Sequence, residues 1–310
     1  MNSVSISFII TTYNREGYVL QAIRSVLNQQ FEGNVDILVI DDDPTSQLGV
    51  VLDENFGESV RYHRVNKNNG PGLNRHWGFM NSIGQYVVFM DDDDYYTDRD
   101  FVNKAIRHFR EEDGLAFVGF NANDFYEVSG EVRSGMQLEK NGKISRNLYL
   151  MKFTHGISKP KSTFSSVFSR ELLTMAGIRT IEMLNDSVIY LRALLVGDAY
   201  LDSTVIGNYR IHNSNITKTI SEKFIIDNLN EKKTISRLLP FSYVRRSFWL
   251  YVQSINTIGY YLSENSHREQ TTLLQQWVGE QVFFVKVLIR LSLAKSGLLF
   301  TLNGEGGKHH

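Results

Sequence analysis

The sequence predicts an α/β protein, in which a mostly parallel β-sheet is flanked by helices and followed by an α-helical C-terminal region. Strand-like and helix-like segments alternate over about the first 120 residues, as they do in βαβ units. The segments 35–40 and 86–90 are apolar almost throughout, which is typical of strands covered by helices on both faces. From residue 221 onward, apolar residues recur at helical spacing.

The first two elements show the two periodicities. Alternation of apolar side chains with serines predicts a strand over 4–10. The next segment places five apolar residues on one helical face: Val19, Ala22, Ile23, Val26 and Leu27. Later elements follow in order, with strands over 35–40, 60–65, 86–90 and 116–120, a turn over 66–72, and helices that begin near Leu73 or carry Phe101.

The composition excludes several kinds of site. The 310 residues include no cysteine, which removes disulfide scaffolds, thiolate zinc sites and cysteine nucleophiles. The 33 basic and 34 acidic residues give a net charge of −1, so a nucleic-acid partner is not expected. The sequence lacks a basic signal-peptide start and an apolar run of membrane-spanning length, and we therefore expect a cytoplasmic protein.

Two runs of aspartate directly follow predicted strands. Residues 91–94 are all aspartate, and a divalent cation would offset their mutual repulsion. Mg²⁺ takes few protein carboxylates and fills its other positions with water and phosphate, so an Asp-x-Asp pattern here indicates a metal-bound nucleoside diphosphate. The alternative is a solvated acidic loop. Residues 41–43 precede Pro44, and this shorter run is also compatible with an ordinary turn.

The end of the first strand excludes other nucleotide enzymes. It reads Thr11-Thr12-Tyr13-Asn14 and carries neither a G-x-G-x-x-G fingerprint nor a Walker motif, which disfavours dinucleotide cofactors and P-loop ATPases. Phosphatases of the haloacid type need a nucleophilic aspartate on this strand, and the strand has none.

Several segments then occur in a distinctive order between residues 4 and about 217. They are FIITTYNR at 8–15, SVLNQQ at 25–30, VIDDD at 39–43, QYVVFMDDDDYY at 85–96, Asn185-Asp186 leading to Arg192, and YRIH at 209–212. Together they resemble the motifs of family 2 glycosyltransferases, which have the GT-A fold. The match covers about two-thirds of the chain.

The resemblance implies a site for a nucleoside-diphosphate sugar. The residues implied in nucleotide-sugar binding are Thr11, Tyr13, Asp41, Asp42, Arg75, Asp91 and Asp92. Among them, Asp42 matches the aspartate that bonds the base, and Asp91 or Asp92 is implied at the ribose. Asp93 is implied as a ligand of Mn²⁺ or Mg²⁺, and His212 as a second metal or phosphate contact.

Asp186 matches the catalytic base of the family. The residue before it is usually glutamate, whereas this chain has Asn185. Apolar residues follow at helical spacing, so we expect Asp186 near the start of a helix, where the positive end favours an ionised carboxylate. The alternative is that Asp186 is only the N-cap of that helix.

The implied reaction is inverting transfer of a sugar, with a UDP-sugar favoured as donor, to a hydroxyl of a saccharide or polyprenyl-linked saccharide. The setting implied is assembly of bacterial surface polysaccharide. Two other functions stay open at this point. One is a nucleotidyltransferase, although the glycine-rich basic loop that it needs after strand one is absent. The other is a catalytically inert protein of the same fold that binds nucleotides or glycans.

The sequence predicts a nucleotide-sugar-binding catalytic domain over 1–220 and a helical region over 221–303, followed by a linker and tag remnant over 304–310. Region 221–303 has 10 basic and 6 acidic residues, which gives +4. Basic residues interrupt its apolar segment over 282–300, as in a helix that lies on a membrane surface. We therefore expect either peripheral contact with the inner face of the membrane, or a helical bundle that packs on the catalytic domain or forms a homo-oligomer.

Overall fold

The computed structural model describes residues 4–212, 221–263 and 271–295. The chain divides into two compact units, Met1–Asn213 and Ser214–His310, which we call the sheet unit and the helical unit. The segment 304–310, predicted to be a linker and tag remnant, lies outside the described residues.

The described part of the sheet unit contains one sheet of ten strands, with helices packed against it. The strands are β1 Ser5–Thr12, β2 Asn34–Asp41, β3 Arg61–Arg64, β4 Tyr86–Asp91, β5 Tyr95–Tyr96, β6 Leu115–Tyr126, β7 Glu131–Arg133, β8 Gly142–Ile144, β9 Ser166–Ser169 and β10 Asp198–Ile211. The helices are α1 Glu16–Leu27, α2 Leu48–Phe56, α3 Pro71–Asn81, α4 Phe101–Glu111, α5 Arg146–Lys152, α6 Arg170–Met175 and α7 Asp186–Val196.

The sheet is mixed. Its main strand order is β3-β2-β1-β4-β9-β6-β10-β5, while β7 pairs with β6 and β8 with β10. The first four of these strands are parallel, as predicted, and so are β6 and β10. The four-residue strand β9 is antiparallel to both β4 and β6. The α/β architecture with a helical C-terminal region is confirmed, and the predicted strands and helices all occur.

Close packing fixes helix α3 against the parallel half of the sheet. Gly78 lies so near β1 that a Cβ atom there would come within 2.3 Å of Ile9 Cγ2. Ile9 and its strand neighbours are fully buried, as expected for strands covered on both faces. This contact holds the start of α3, which carries Arg75, beside the carboxyl ends of the strands.

The helical unit contains α8 Glu222–Leu238, α9 Tyr243–Leu262, α10 Thr272–Gly279 and α11 Phe283–Lys295 among its described residues. Their apolar faces meet in a core that includes Leu229, Ile258, Trp277 and Ile289. The Ser221 side chain caps α8 by accepting from the Phe224 amide at 3.2 Å. In the described ranges of the chain, each helix is too short or too polar to cross a membrane.

A lysine is buried inside this helical core. Lys232 on α8 is 5% exposed, and its ammonium donates to Thr257 Oγ1 at 2.6 Å. Burial lowers the pKa of Lys232 from 10.5 to about 8. Below pH 8 the charge is present in both folded and unfolded chains, and the folded chain bears the cost of burying it. Between pH 8 and 10.5 the folded chain loses its proton first, so stability rises with pH.

We predict that Lys232→Met raises the unfolding temperature of the helical unit at pH 7. The cost removed is about 3 kcal/mol, and the difference from the unmodified protein should shrink by pH 10.5. Scanning calorimetry at both pH values measures it. Lys223→Met is the matched control, because Lys223 lies on the same helix with its side chain 77% exposed. An equal effect of both substitutions would contradict the assignment.

Candidate active site

The ends of three parallel strands bring the two aspartate runs together. Thr11 on β1 pairs in register with Asp91 on β4, and Thr12 pairs with Asp41 on β2. The Thr11 hydroxyl donates to Asp91 Oδ1 at 3.3 Å, and the Thr12 hydroxyl donates to Asp92 Oδ2 at 2.7 Å. The site therefore lies at the carboxyl edge of the sheet, where open α/β sheets bind ligands.

Asp41 and Asp42 are buried, and each accepts hydrogen bonds from a neighbouring segment of the chain. Asp41 accepts from the Tyr62 hydroxyl at 2.9 Å, and burial together with this bond raises the pKa of Tyr62 to about 12. The two oxygens of Asp42 accept from the backbone amides of Asn69 and Gly70, both at 2.8 Å. Gly70 has φ +78°, a conformation that favours glycine. Asp42 thus fixes the loop that leads into α3, and its implied contact with a base remains a prediction.

Arg75 links the aspartate run to the candidate base. Its side chain is buried, and its guanidinium donates to Asp91 Oδ1 at 2.6 Å and to Asp186 Oδ1 at 3.1 Å. Burial opposes the charge, but the two carboxylates hold the pKa of Arg75 above its usual range. One arginine therefore joins the end of β4 to the start of α7. Its implied contact with the nucleotide remains a prediction.

Arg15, which precedes α1, supplies part of the counter-charge that sequence reasoning assigned to a cation. It donates to Asp92 Oδ1 at 3.2 Å and to Asp93 Oδ2 at 2.9 Å. Negative charge nevertheless remains in excess. Burial, with Asp93 nearby, raises the pKa of Asp92 to about 7, and burial beside Asp93 and Asp91 raises the pKa of Asp94 well above its usual range. A cation bound here would relieve this repulsion.

Asp93 and His212 could hold that cation together. His212 Nε2 lies 2.9 Å from Asp93 Oδ2, and both side chains are largely buried. Within 4–212, 221–263 and 271–295, no cluster of three or more carboxylate, imidazole or thiolate groups is placed to bind a metal. One carboxylate and one imidazole still fit Mg²⁺ or Mn²⁺, because these ions commonly complete their coordination with water and phosphate oxygens.

Arg210 positions the aspartate loop. Its guanidinium donates to the Asp93 carbonyl at 3.0 Å, to Glu127 Oε1 at 3.3 Å and to Gln21 Oε1 at 2.6 Å. It also lies within 4.6 Å of the Tyr18 ring centroid. Its side chain is only 6% exposed. It ties the end of β10 to α1 and to the loop after β4.

We predict that Arg210→Lys lowers the free energy of unfolding by about 2 kcal/mol. A lysine keeps the charge but cannot replace the planar fork of donors. Thermal unfolding measures the change. Arg133→Lys is the control, because that arginine forms an exposed pair with Glu131. Equal stability of the two variants would contradict the positioning role.

The residue before the candidate base has a structural role at the start of helix α7. Asn185 is the N-cap of α7, and its side chain accepts from the Val188 amide at 3.1 Å. Asp186 is the first residue of the helix, so the alternative that Asp186 is only the cap is wrong. Because Asn185 satisfies the helix end, the Asp186 carboxylate is left to face the site, with its side chain 27% exposed.

Lys159 approaches the other oxygen of Asp186. Its ammonium lies 4.0 Å from Asp186 Oδ2 and donates to the carbonyls of Pro160 and Lys161. Burial lowers the pKa of Lys159, while Asp186 opposes that shift. The candidate base therefore lies between two cations, Arg75 and Lys159.

Two site residues had weak signals in the sequence. Arg15 belongs to the FIITTYNR segment but had no assigned role, and Lys159 lies outside the segments that carry the resemblance. Tyr13 was assigned to the nucleotide pocket, and its side chain is 52% exposed at the edge of the site. It follows Thr12, so an exposed ring there lies beside the strand ends.

The family follows from comparison with known proteins. The model of the family described as glycosyl transferase family 2 matches residues 7–173, which is more than half of the chain. The chain belongs to glycosyltransferase family 2. The matched segment contains both aspartate runs, Arg15, Arg75 and Lys159.

Two sequence relatives of this family 2 glycosyltransferase are bacterial transferases whose names state an acceptor. It is 28% identical over 174 residues to a GalNAc(5)-diNAcBac-PP-undecaprenol β-1,3-glucosyltransferase of Campylobacter jejuni, covering 54% of this chain and 52% of the relative. It is 25% identical over 192 residues to TarS of Staphylococcus aureus, a poly(ribitol-phosphate) β-N-acetylglucosaminyltransferase, covering 61% of this chain and 28% of TarS. The chain spans between 16% and 52% of the length of the first curated relatives that it matches.

Solved structures establish the GT-A-like fold. A structure of S. aureus TarS residues 1–349 with UDP-GlcNAc aligns with a TM-score of 0.67 at 16% identity, covering 95% of this chain and 88% of that one. The mannosyltransferase PcManGT of Pyrobaculum calidifontis, solved with GDP-Man and Mn²⁺, aligns with a TM-score of 0.53 at 11% identity, covering 96% of this chain and 81% of that one.

Proposed function

We propose that this glycosyltransferase transfers a sugar, with inversion, from a nucleoside-diphosphate sugar to an acceptor hydroxyl. The observation that carries the proposal is the Arg75 bridge, which joins Asp91 on the donor side to Asp186. A donor and a base must lie side by side for direct displacement, and no covalent enzyme intermediate is then needed.

Asp186 is the base in this proposal. Its carboxylate takes the proton from the acceptor hydroxyl as the hydroxyl oxygen attacks the anomeric carbon and the bond to the diphosphate breaks. Arg75 and Lys159 hold the two oxygens of the carboxylate in place. The position of Asp186 at the start of α7 also favours its ionised form before the reaction.

The donor site of the proposal lies along the strand ends. Thr11, Tyr13, Asp41 and Asp42 border the nucleotide, and Asp91 and Asp92 the ribose. We favour a UDP-sugar because the TarS structure aligned above contains UDP-GlcNAc.

Asp93 and His212 are the residues that would hold Mn²⁺ or Mg²⁺. A bound divalent cation would supply charge to neutralise the departing diphosphate. Arg15 already donates to Asp93, and its positive charge would also help to neutralise the departing diphosphate. The PcManGT structure with Mn²⁺ supports the expectation of a metal in this fold.

The acceptor proposed is a saccharide of a bacterial surface glycan, free, polymeric or linked to a polyprenyl diphosphate. The relatives named above act on an undecaprenol-linked oligosaccharide and on poly(ribitol-phosphate).

Release of nucleoside diphosphate tests the proposal. The protein is incubated with Mn²⁺ and a panel of UDP- and GDP-sugars, first with water alone and then with lipid-linked and polymeric saccharides. We expect release from one class of donor, stimulated by an acceptor, and a product of inverted anomeric configuration by NMR. Retained configuration would contradict it, and so would formation of a nucleotide-sugar with release of pyrophosphate when the protein is given a nucleoside triphosphate and a sugar 1-phosphate, which is the reaction of a nucleotidyltransferase.

A further inference from the structure

The helical unit exposes apolar side chains on α9 and α11. The most exposed are Tyr243, Val244 and Phe248 on α9, and Phe283, Phe284 and Leu291 on α11. The two helices pack directly on each other, because the Tyr251 hydroxyl and Ser292 Oγ lie 2.6 Å apart. The Phe248 ring contacts Tyr251, and Leu291 adjoins Ser292 in sequence. We call the exposed surface of these two helices the α9–α11 face.

Helix α11 carries large apolar side chains on its outer side as well as on its inner side. Val285, Ile289 and Leu293 line one side and enter the core of the helical unit. On the outer side Phe283 is 82% exposed and Leu291 is 61% exposed. Clustered exposed apolar residues mark an interaction surface.

The charges of the α9–α11 face have one sign. The two helices carry five basic residues, Arg245, Arg246, Lys286, Arg290 and Lys295, and no acidic residue within Tyr243–Leu262 and Phe283–Lys295. The neighbouring α8, by contrast, carries charges of both signs, with three acidic and four basic residues: Glu222, Asp227 and Glu231, and Lys223, Lys232, Lys233 and Arg237. The two helices therefore combine large exposed apolar side chains with five basic residues.

This combination favours a lipid surface over a second copy of the chain. In a symmetric dimer through the α9–α11 face, the five basic residues of one copy would approach the same five of the other, since a two-fold interface joins identical patches. An anionic lipid surface instead offers acyl chains to the aromatic side chains and phosphates to the basic ones. No described helix is able to span a bilayer, so contact would lie along the surface.

We propose that the α9–α11 face binds the surface of an anionic phospholipid membrane. Phe283, Phe284 and Leu291 enter the interface between headgroups and acyl chains, and Arg290 with Lys286 pairs with lipid phosphates. The proposal does not rest on the identity of the donor or of the acceptor, and its failure would leave the proposed reaction untouched.

Vesicle flotation of the full chain tests the proposal. The protein is mixed with vesicles of phosphatidylcholine alone or of phosphatidylcholine with phosphatidylglycerol, at low and high salt. We expect binding to the anionic vesicles, weakened by salt, and at least about tenfold less binding to the neutral ones. Absence of binding, or equal binding to both kinds of vesicle, would overturn the proposal.

Matched variants assign the binding to this face. Arg290→Glu, and separately the double variant Phe283→Ser with Phe284→Ser, should each weaken binding about tenfold or more. The controls are Lys223→Glu, an exposed basic residue on α8, and Val128→Ser, an exposed apolar residue of the sheet unit. Both controls should bind as the unmodified protein does. Light scattering could instead show a dimer that becomes monomeric in the Phe283→Ser, Phe284→Ser variant. That result would mean that a second copy covers the face.

Discussion

Asp186→Asn should lower the rate of sugar transfer by a factor on the order of 10³ while donor affinity stays within about twofold. The asparagine has nearly the same shape but cannot take the acceptor proton. Arg75 and Lys159 would lose an ionic partner, yet Asp91 still accepts from Arg75 and two carbonyls from Lys159. Initial rates with the active donor, together with calorimetric titration of the same nucleotide, separate catalysis from binding.

The neighbouring residue provides a control for damage to the helix start. Asn185→Ala removes the N-cap of α7 and should cost about 1 kcal/mol of stability. It keeps the base, so most of the transfer rate should survive. Transfer at the normal rate by Asp186→Asn would eliminate Asp186 as the base, and loss of transfer in both variants alike would point to a structural role.

Arg75→Met should have the second large effect, because it leaves two carboxylates without their shared cation. The side chains of Asp91 and Asp186 are about a third exposed, which reduces the penalty, and we expect a loss of about 1–3 kcal/mol of stability. Transfer should fall at least about 10²-fold, since Asp186 would no longer be held beside the donor site. Thermal unfolding and initial rates measure the two effects.

Arg75→Lys distinguishes charge from geometry. Lysine restores a positive charge but cannot donate to two carboxylates in a planar fork. We expect recovery of most of the lost stability and little of the lost transfer rate, with kcat affected more than KM. Full recovery of transfer by lysine would mean that Arg75 acts only through its charge, and the bridge would then have no positioning role.

Local sequence patterns predicted the edge of the sheet where the site lies. Each aspartate run follows an apolar strand, and parallel strands in register bring their carboxyl ends together, so Asp41 and Asp91 could be expected at one edge. The start of α7 was predicted from another local pattern, because apolar residues at helical spacing follow Asp186 directly. Asn185 departs from the family pattern, and only the cap geometry showed what it does.

Long-range partners could not be predicted in the same way. Arg15 meets Asp92 across 77 positions of the chain, and Arg210 meets the Asp93 carbonyl across 117. These contacts depend on where β10 and the start of α1 lie in the folded sheet, which no local pattern encodes. The antiparallel strand β9 escaped prediction because it has four residues with serine at both ends.

The counter-charge of the aspartate run was predicted only in part. Repulsion among residues 91–94 indicated a bound cation, and the structure provides Arg15 and Arg75 at the same carboxylates. Burial and the nearby Asp93 raise the pKa of Asp92 to about 7, although Arg15 donates to this carboxylate. The two arginines and a bound metal ion would therefore each neutralise part of the negative charge of the aspartate run.

Calorimetric titration of UDP tests the central claim most directly, because the claim is a metal-assisted nucleotide site beside a separate base. We predict that UDP binds the unmodified protein and Asp186→Asn with equal affinity in Mn²⁺, and that binding weakens at least about tenfold without metal or in Asp93→Ala. GDP and CMP should bind more weakly. Failure of all three nucleotides to bind in the presence of Mn²⁺, or unchanged UDP affinity in Asp93→Ala, would contradict the account.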